Sequence, residues 1–168
     1  MSDAQYKRPE SVLVVIYAAT GEVLLLERQQ PPGYWQSVTG SLGWDETPEQ
    51  AARRELGEET GLEAGDLLVD CGYKNRFEIL PAWRARYAPD VRHNTEYVFS
   101  MELPEPVETS LNPAEHCRAQ WLPARLAALR ASSYTNQIAI DPAGEWVYVT
   151  SEGSPSPLYR VPLRPGAP

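Results

Sequence analysis

A chain of 168 residues with 15 Lys plus Arg against 23 Asp plus Glu carries a net charge of −8, and 42% of its positions are hydrophobic. A single domain of that size buries about two-thirds of its unfolded surface, so it needs neither disulfides nor a metal merely to fold, and any metal it binds points to function. The acidic balance excludes nucleic-acid partners held by phosphate neutralisation, which requires a basic face, while a small anionic substrate remains compatible with local cations or a bridging metal.

Two cysteines, Cys71 and Cys117, occur without a CxxC pair and without a histidine at zinc-finger spacing. They read as free thiols in a reducing compartment. The first ten residues, MSDAQYKRPE, hold no apolar stretch, and the longest apolar run, residues 12–19, is far too short to cross a bilayer. The expected location is therefore the cytoplasm, with no membrane partner.

In chain order, residues 11–18 and 22–26 are β-branched and aliphatic runs separated by Ala19-Thr20-Gly21, the pattern of a hairpin of two largely buried strands. A Pro/Gly-rich loop follows at 29–33, then a short strand at 34–38 entering a glycine-bounded turn at 40–43. The best-marked helix comes next. Thr47 is placed to cap it, Pro48 suits its first position, Gln50 completes a capping box, and Gly61 supplies a left-handed stop, which predicts a helix over 48–60. Strand-like segments recur at 67–73, 76–80 and 95–103, and the Ala/Leu/Arg pattern of 122–132 predicts a second helix. Strands, a helix, further strands and a second helix give an α+β fold with a mixed sheet, not a doubly wound one.

Residues 1–140 read as one domain and 141–168 as an extension, because six of the sixteen prolines fall in those last 28 positions. Residues 146–150 and 158–161 are either the arms of an edge hairpin or part of a partly ordered tail.

On the predicted helix Glu55, Glu58 and Glu59 share one face, with Ala52 and Leu56 turned to the core. Like charges at i,i+4 cost about 0.2–0.5 kcal/mol per pair, a liability that a hard divalent cation removes. A solvated acidic face paired with Arg53 and Arg54 would be the ordinary reading of an isolated ExxEE. The wider spacing argues otherwise. Gly40, Glu46, Arg54, Glu55, Leu56, Glu58, Glu59, Gly61 and Leu62 fill all nine constrained positions of G-x5-E-x7-R-E-U-x-E-E-x-G-U, where U is aliphatic.

That pattern is the Nudix box, and the chain resembles the Nudix hydrolases. The resemblance implies a Nudix-type α/β/α sandwich with a mixed sheet, a divalent metal (Mg²⁺, with Mn²⁺ as a substitute) and cleavage of a phosphoanhydride. Further segments are similar to the branch of the family that acts on dihydroneopterin triphosphate: YKRP at 6–9, VLVVIYA at 12–18, YWQSVTGS at 34–41, FEI at 77–79, RYAP at 86–89, NTE at 94–96 and AEHCRAQWL at 114–122. The similarity implies hydrolysis of that small-molecule triphosphate to its monophosphate and pyrophosphate. It implies metal ligands at Glu55, Glu59 and Glu115, and substrate contacts at Lys7, Arg28, Thr39, Phe77, Glu78, Ile79, Leu80 and Ser133. Nucleoside triphosphate hydrolysis and a non-catalytic ligand sensor are the alternatives.

Metal-activated water needs a proton acceptor, for which Glu58 and Glu59 are the candidates and Glu58 the favoured one. Arg54 is expected to orient the glutamates by charge-assisted hydrogen bonds. His116 is left undecided between solvated loop residue and site residue. Trp44 falls near the metal loop, where the related enzymes carry acidic residues, and Gly57 interrupts the helix interior. The oligomeric state is left open.

Overall fold

The computed structural model describes residues 6–123 and, as backbone, three short strands nearer the C-terminus. Strand β1 (Glu10–Ala18) is the hub of a seven-stranded sheet. It pairs in parallel with β6 (His93–Leu103), from Glu10 opposite Thr95 to Ala18 opposite Leu103. Its other edge is shared. β4 (Val38–Ser41) runs antiparallel against Ser11 to Val14, and β2 (Glu22–Arg28) meets β1 at Tyr17 opposite Val23. β2 also pairs with β3 (Trp35–Gln36) and β7 (His116–Pro123), and β5 (Leu68–Glu78) lies antiparallel on β6. One parallel pairing among antiparallel ones makes the sheet mixed, and with α1 (Pro48–Thr60) the fold is α+β, as expected.

The unbroken apolar run in β1 reflects burial on both faces of the sheet. Val12, Val14 and Ile16 point to one side with Leu24, Leu26, Phe99 and Met101, where α1 adds Ala51, Ala52 and Leu56. Leu13, Val15 and Tyr17 point to the other with Val23, Leu25, Trp35 and Val98. α1 has the predicted bounds and caps: Thr47 and Gln50 form the reciprocal box, and Gly61, at φ 70°, donates its N–H to Gly57 O. Among the described residues no helix is long and apolar enough to cross a membrane.

Several boundaries differ from the sequence reading. The segments expected at 67–73 and 76–80 are one strand, β5, whose register shifts between Asp70 and Tyr73, where Gly72 takes φ 66°. A bulge in a continuous strand carries the same glycine signal as a turn between two. The turn expected at 40–43 starts later, because β4 continues through Gly40 to Ser41. Of the helix expected at 122–132, Leu122 and Pro123 instead close β7, and the remainder lies outside the described residues. The sequence reading missed β7 and a 3-10 turn at Pro81–Arg86. Near the C-terminus β8 (Ile138–Ile140), β9 (Trp146–Thr150) and β10 (Leu158–Pro162) form a separate antiparallel sheet with β9 at its centre; the expected hairpin loop lies outside the described residues.

Gly57 sits on the exposed side of α1, and a methyl group there would come no closer than 4.0 Å to Leu62 O. Gly57→Ala is therefore expected to stabilise the protein by about 0.5–1 kcal/mol, through lower unfolded-state entropy. The melting temperature should rise by about 1–4 °C, and an unchanged or lower value would mean the glycine has another role.

Candidate active site

Three elements converge on one cleft of about 350 Å³: the acidic face of α1, the β3–β4 segment, and the stretch from Phe77 through the 3-10 turn. The start of β7 and the N-terminal segment at Lys7 complete its wall.

Glu59 is 2% exposed, and Thr39 N–H reaches its Oε2 at 3.3 Å. Burial, then the neighbouring Glu55 charge, pushes its carboxyl up to about 9. Burial also raises the Glu55 carboxyl, against the opposing effect of Arg54. Glu55 lies flush on β4: a Cβ at Gly40 would fall 1.9 Å from Glu55 Cδ. A metal-ligand atom from each of Glu59, Glu115 and His116 can be chosen so that all three lie within 4.8 Å of one another. His116 is buried, its imidazole is lowered to about 4 by burial and then by the Arg28 charge, and its Nδ1 has no hydrogen-bond partner among the described residues. Crowded carboxyls that resist ionisation beside a neutral imidazole make a donor set that fits a divalent cation, which would reverse the cost of charging them. Glu55 lies outside that tight trio and accepts from Arg54 Nη1 at 2.6 Å.

Arg54 distributes its guanidinium over this region. It makes a bidentate pair with Glu46 at 2.6 and 2.9 Å, and reaches Glu55, Glu58 at 3.1 Å and Ser41 O at 3.0 Å. Glu46 is held down to about 2 by Arg54 and by the Gly43 N–H. These contacts fix the loop–helix junction around which the carboxylates are arranged.

Among the other expected contacts, Lys7 Nζ meets Ser41 Oγ at 3.3 Å, and burial followed by the Arg86 charge lowers its pKa. Arg28, Phe77, Ile79 and Leu80 line the cleft. Thr39 also lines it, but its hydroxyl donates to Val12 O at 2.8 Å, leaving its backbone N–H as the group facing Glu59. Glu78 is not brought to the cleft; its carboxylate pairs with Arg84, which also donates to Ile79 O at 3.1 Å. Ser133 lies outside the described residues. Trp44 does not line the cleft either, and its indole N–H donates to Tyr6 O at 3.2 Å.

Sequence reasoning did not assign Trp83, Arg86 and Asn94 to the site. Arg86 and Asn94 lie within the quoted RYAP and NTE segments, which is the one available signal. Asn94 is buried on the cleft wall, donates to Ser11 Oγ at 2.6 Å and leaves its Oδ1 without a partner among the described residues. The arrangement joins a cation-binding end, a band of Lys7, Arg28 and Arg86, and an apolar end of Phe77, Ile79 and Leu80. Such a cleft suits a polyphosphate attached to a flat organic group.

Residues 7–141 match the NUDIX domain family. The chain is 46% identical over 145 residues to a dihydroneopterin triphosphate diphosphatase of Escherichia coli, covering 84% of this chain and 95% of that protein. It is 43% identical over 142 residues to a Haemophilus influenzae protein of the same name, covering 81% and 87%. The solved structure of the E. coli dihydroneopterin triphosphate pyrophosphohydrolase matches with a TM-score of 0.67 at 45% identity, over 74% of this chain and 86% of that one.

Proposed function

The chain belongs to the Nudix family, and on that premise we propose that it hydrolyses dihydroneopterin triphosphate to dihydroneopterin monophosphate and pyrophosphate in the cytoplasm. The observation that carries this reading is the 46% identity to a diphosphatase of that name along 84% of the chain. Glu55, Glu59 and Glu115 are the proposed ligands of Mg²⁺, with His116 as a neighbouring nitrogen donor. A bound divalent cation supplies an activated water and neutralises phosphate charge. Lys7, Arg28 and Arg86 hold the phosphate chain, which an acidic protein otherwise repels. Glu58, exposed at the cleft edge and oriented by Arg54, takes the proton of the attacking water. Phe77, Ile79 and Leu80 receive the heterocycle, and Asn94 Oδ1, which has no partner among the described residues, is an acceptor for its ring N–H.

A nucleoside triphosphatase would share the metal residues and differ only at the apolar end. A ligand sensor would not need an intact box. The expected result of a substrate panel is a kcat/KM for the pterin triphosphate at least tenfold above each of the four dNTPs, and equal or better dNTP turnover would reject the pterin assignment. In ¹⁸O-labelled water the label should enter the monophosphate, as attack at the α-phosphorus requires. Label in pyrophosphate would place attack at the β-phosphorus.

A further inference from the structure

The cleft mouth contains a feature that the hydrolytic assignment leaves unused. Trp83 stands on the 3-10 turn Pro81–Arg86 with 44% of its surface exposed, although it is one of the largest apolar side chains in the protein. Two guanidinium groups lie over its ring, Arg28 at 5.7 Å and Arg86 at 5.2 Å from the centroid. Arg28 also lies 6.0 Å from the Tyr34 ring, so rings and cations alternate along the rim. The turn that carries Trp83 is pinned: Trp83 N–H donates to Leu80 O at 2.9 Å, and Lys7 N–H donates to Arg86 O at 2.8 Å.

Arg54, at the loop–helix junction beside the site, is surrounded by Glu46, Glu55 and Glu58, which neutralise it and occupy its N–H groups. By contrast, among the described residues neither Arg28 nor Arg86 forms an ion pair or donates a side-chain hydrogen bond to protein. An aromatic face attracts a guanidinium through its quadrupole without neutralising the charge and without consuming an in-plane N–H. A cation positioned in this way keeps its planar fork of donors for an anion. Two like charges on one rim repel each other, and the shared ring offsets part of that repulsion.

We propose that Trp83 is a positioning residue for the substrate's phosphate chain: its indole holds Arg28 and Arg86 as a preformed guanidinium pair at the cleft mouth. The proposal rests on the cleft accepting a polyphosphate and is independent of which heterocycle is attached.

Inorganic pyrophosphate, which has no heterocycle, is the probe. Isothermal titration at fixed Mg²⁺ should give a dissociation constant about tenfold weaker for Trp83→Leu than for the unsubstituted protein, the loss expected from two exposed cation–π contacts. Trp83→Phe, which keeps a ring, should recover most of the affinity. In turnover, Trp83→Leu should raise KM by a similar factor and leave kcat within about twofold. Arg86→Gln should also weaken pyrophosphate binding, and the double variant should lose less than the product of the two single losses, because Trp83 acts through Arg86. Circular dichroism controls for folding, and the Arg86→Gln and Trp83→Phe comparison stands even if the leucine variant is unstable. Unchanged pyrophosphate affinity in Trp83→Leu, with or without a raised KM for the organic triphosphate, overturns the proposal and moves Trp83 to the heterocycle or to no role. Fully multiplicative losses in the double variant overturn it too. Failure of the unsubstituted protein to bind pyrophosphate would instead reject the polyphosphate reading on which the proposal stands.

Discussion

Glu59→Gln is expected to yield a folded protein whose kcat has fallen by about 10²–10³-fold, equivalent to a loss of about 3–4 kcal/mol of transition-state stabilisation. Glu59 belongs both to the box-derived ligand set and to the tight trio with Glu115 and His116. The amide preserves the shape of a side chain that is 2% exposed, and its oxygen can still accept from the backbone N–H of Thr39. The fold should therefore tolerate the change, and a second readout separates metal binding from catalysis. In the metal-free protein the folded-state pKa of about 9 lies above the unfolded value of 4.5. Between those values the folded state holds the extra proton, so stability falls as pH rises through that window, and Glu55 acts in the same direction. Removing Glu59's ionisation should flatten that slope. As a ligand of the folded state alone, the proposed Mg²⁺ should raise the melting temperature of the unsubstituted protein, with a much smaller shift in the variant. Undiminished turnover at saturating Mg²⁺, with a native circular dichroism spectrum, would remove Glu59 from the metal site.

The part of the site that was legible in the sequence is the part carried by one continuous helix. Thr47, Gln50 and Gly61 mark its ends by local hydrogen bonding, and the three- and four-residue spacings of Glu55, Glu58 and Glu59 fix a common face whatever the tertiary context. β1 was legible for a different reason: burial on both faces leaves an uninterrupted apolar run. Trp83 and Arg86 were not, because a 3-10 turn has no hydrophobic period and their value depends on Arg28, which arrives from β2. Glu78 shows the converse, a residue that the resemblance implies as a contact and that the structure does not bring to the cleft. It lies within a segment similar to a substrate-binding stretch, but strand alternation turns it away from Phe77 and Ile79, and it anchors the turn through Arg84. Trp44 lies near the metal loop in sequence, whereas the structure brings its indole to the Tyr6 carbonyl. Neither outcome is visible without knowing the side-chain directions.

Gly40→Ala is expected to reduce kcat by about 10–100-fold while changing the melting temperature little, the behaviour of a residue that supports a proposed metal ligand without being one. Gly40 lies within β4, opposite Val12 of β1, without the positive φ that would demand glycine. The demand comes from contact. An added methyl group would fall 1.9 Å from Glu55 Cδ and 2.0 and 2.4 Å from its two oxygens. Non-bonded atoms do not approach that closely, and the yielding partner is the far end of a flexible side chain, so the strand stays and the carboxylate moves. The 2.6 Å hydrogen bond from Arg54 to Glu55 is then lost or redirected, and the carboxylate leaves the position beside Glu59. This contact is a physical reason for the box to begin with glycine: its first constrained position is the floor on which the Glu55 carboxylate rests. Because both changes act on one carboxylate, Gly40→Ala combined with Glu55→Gln should cost little more activity than Glu55→Gln alone. Fully additive losses would show that Gly40 acts elsewhere. A large drop in melting temperature, with normal specific activity in the protein that remains folded, would assign the glycine to the sheet and not to the site.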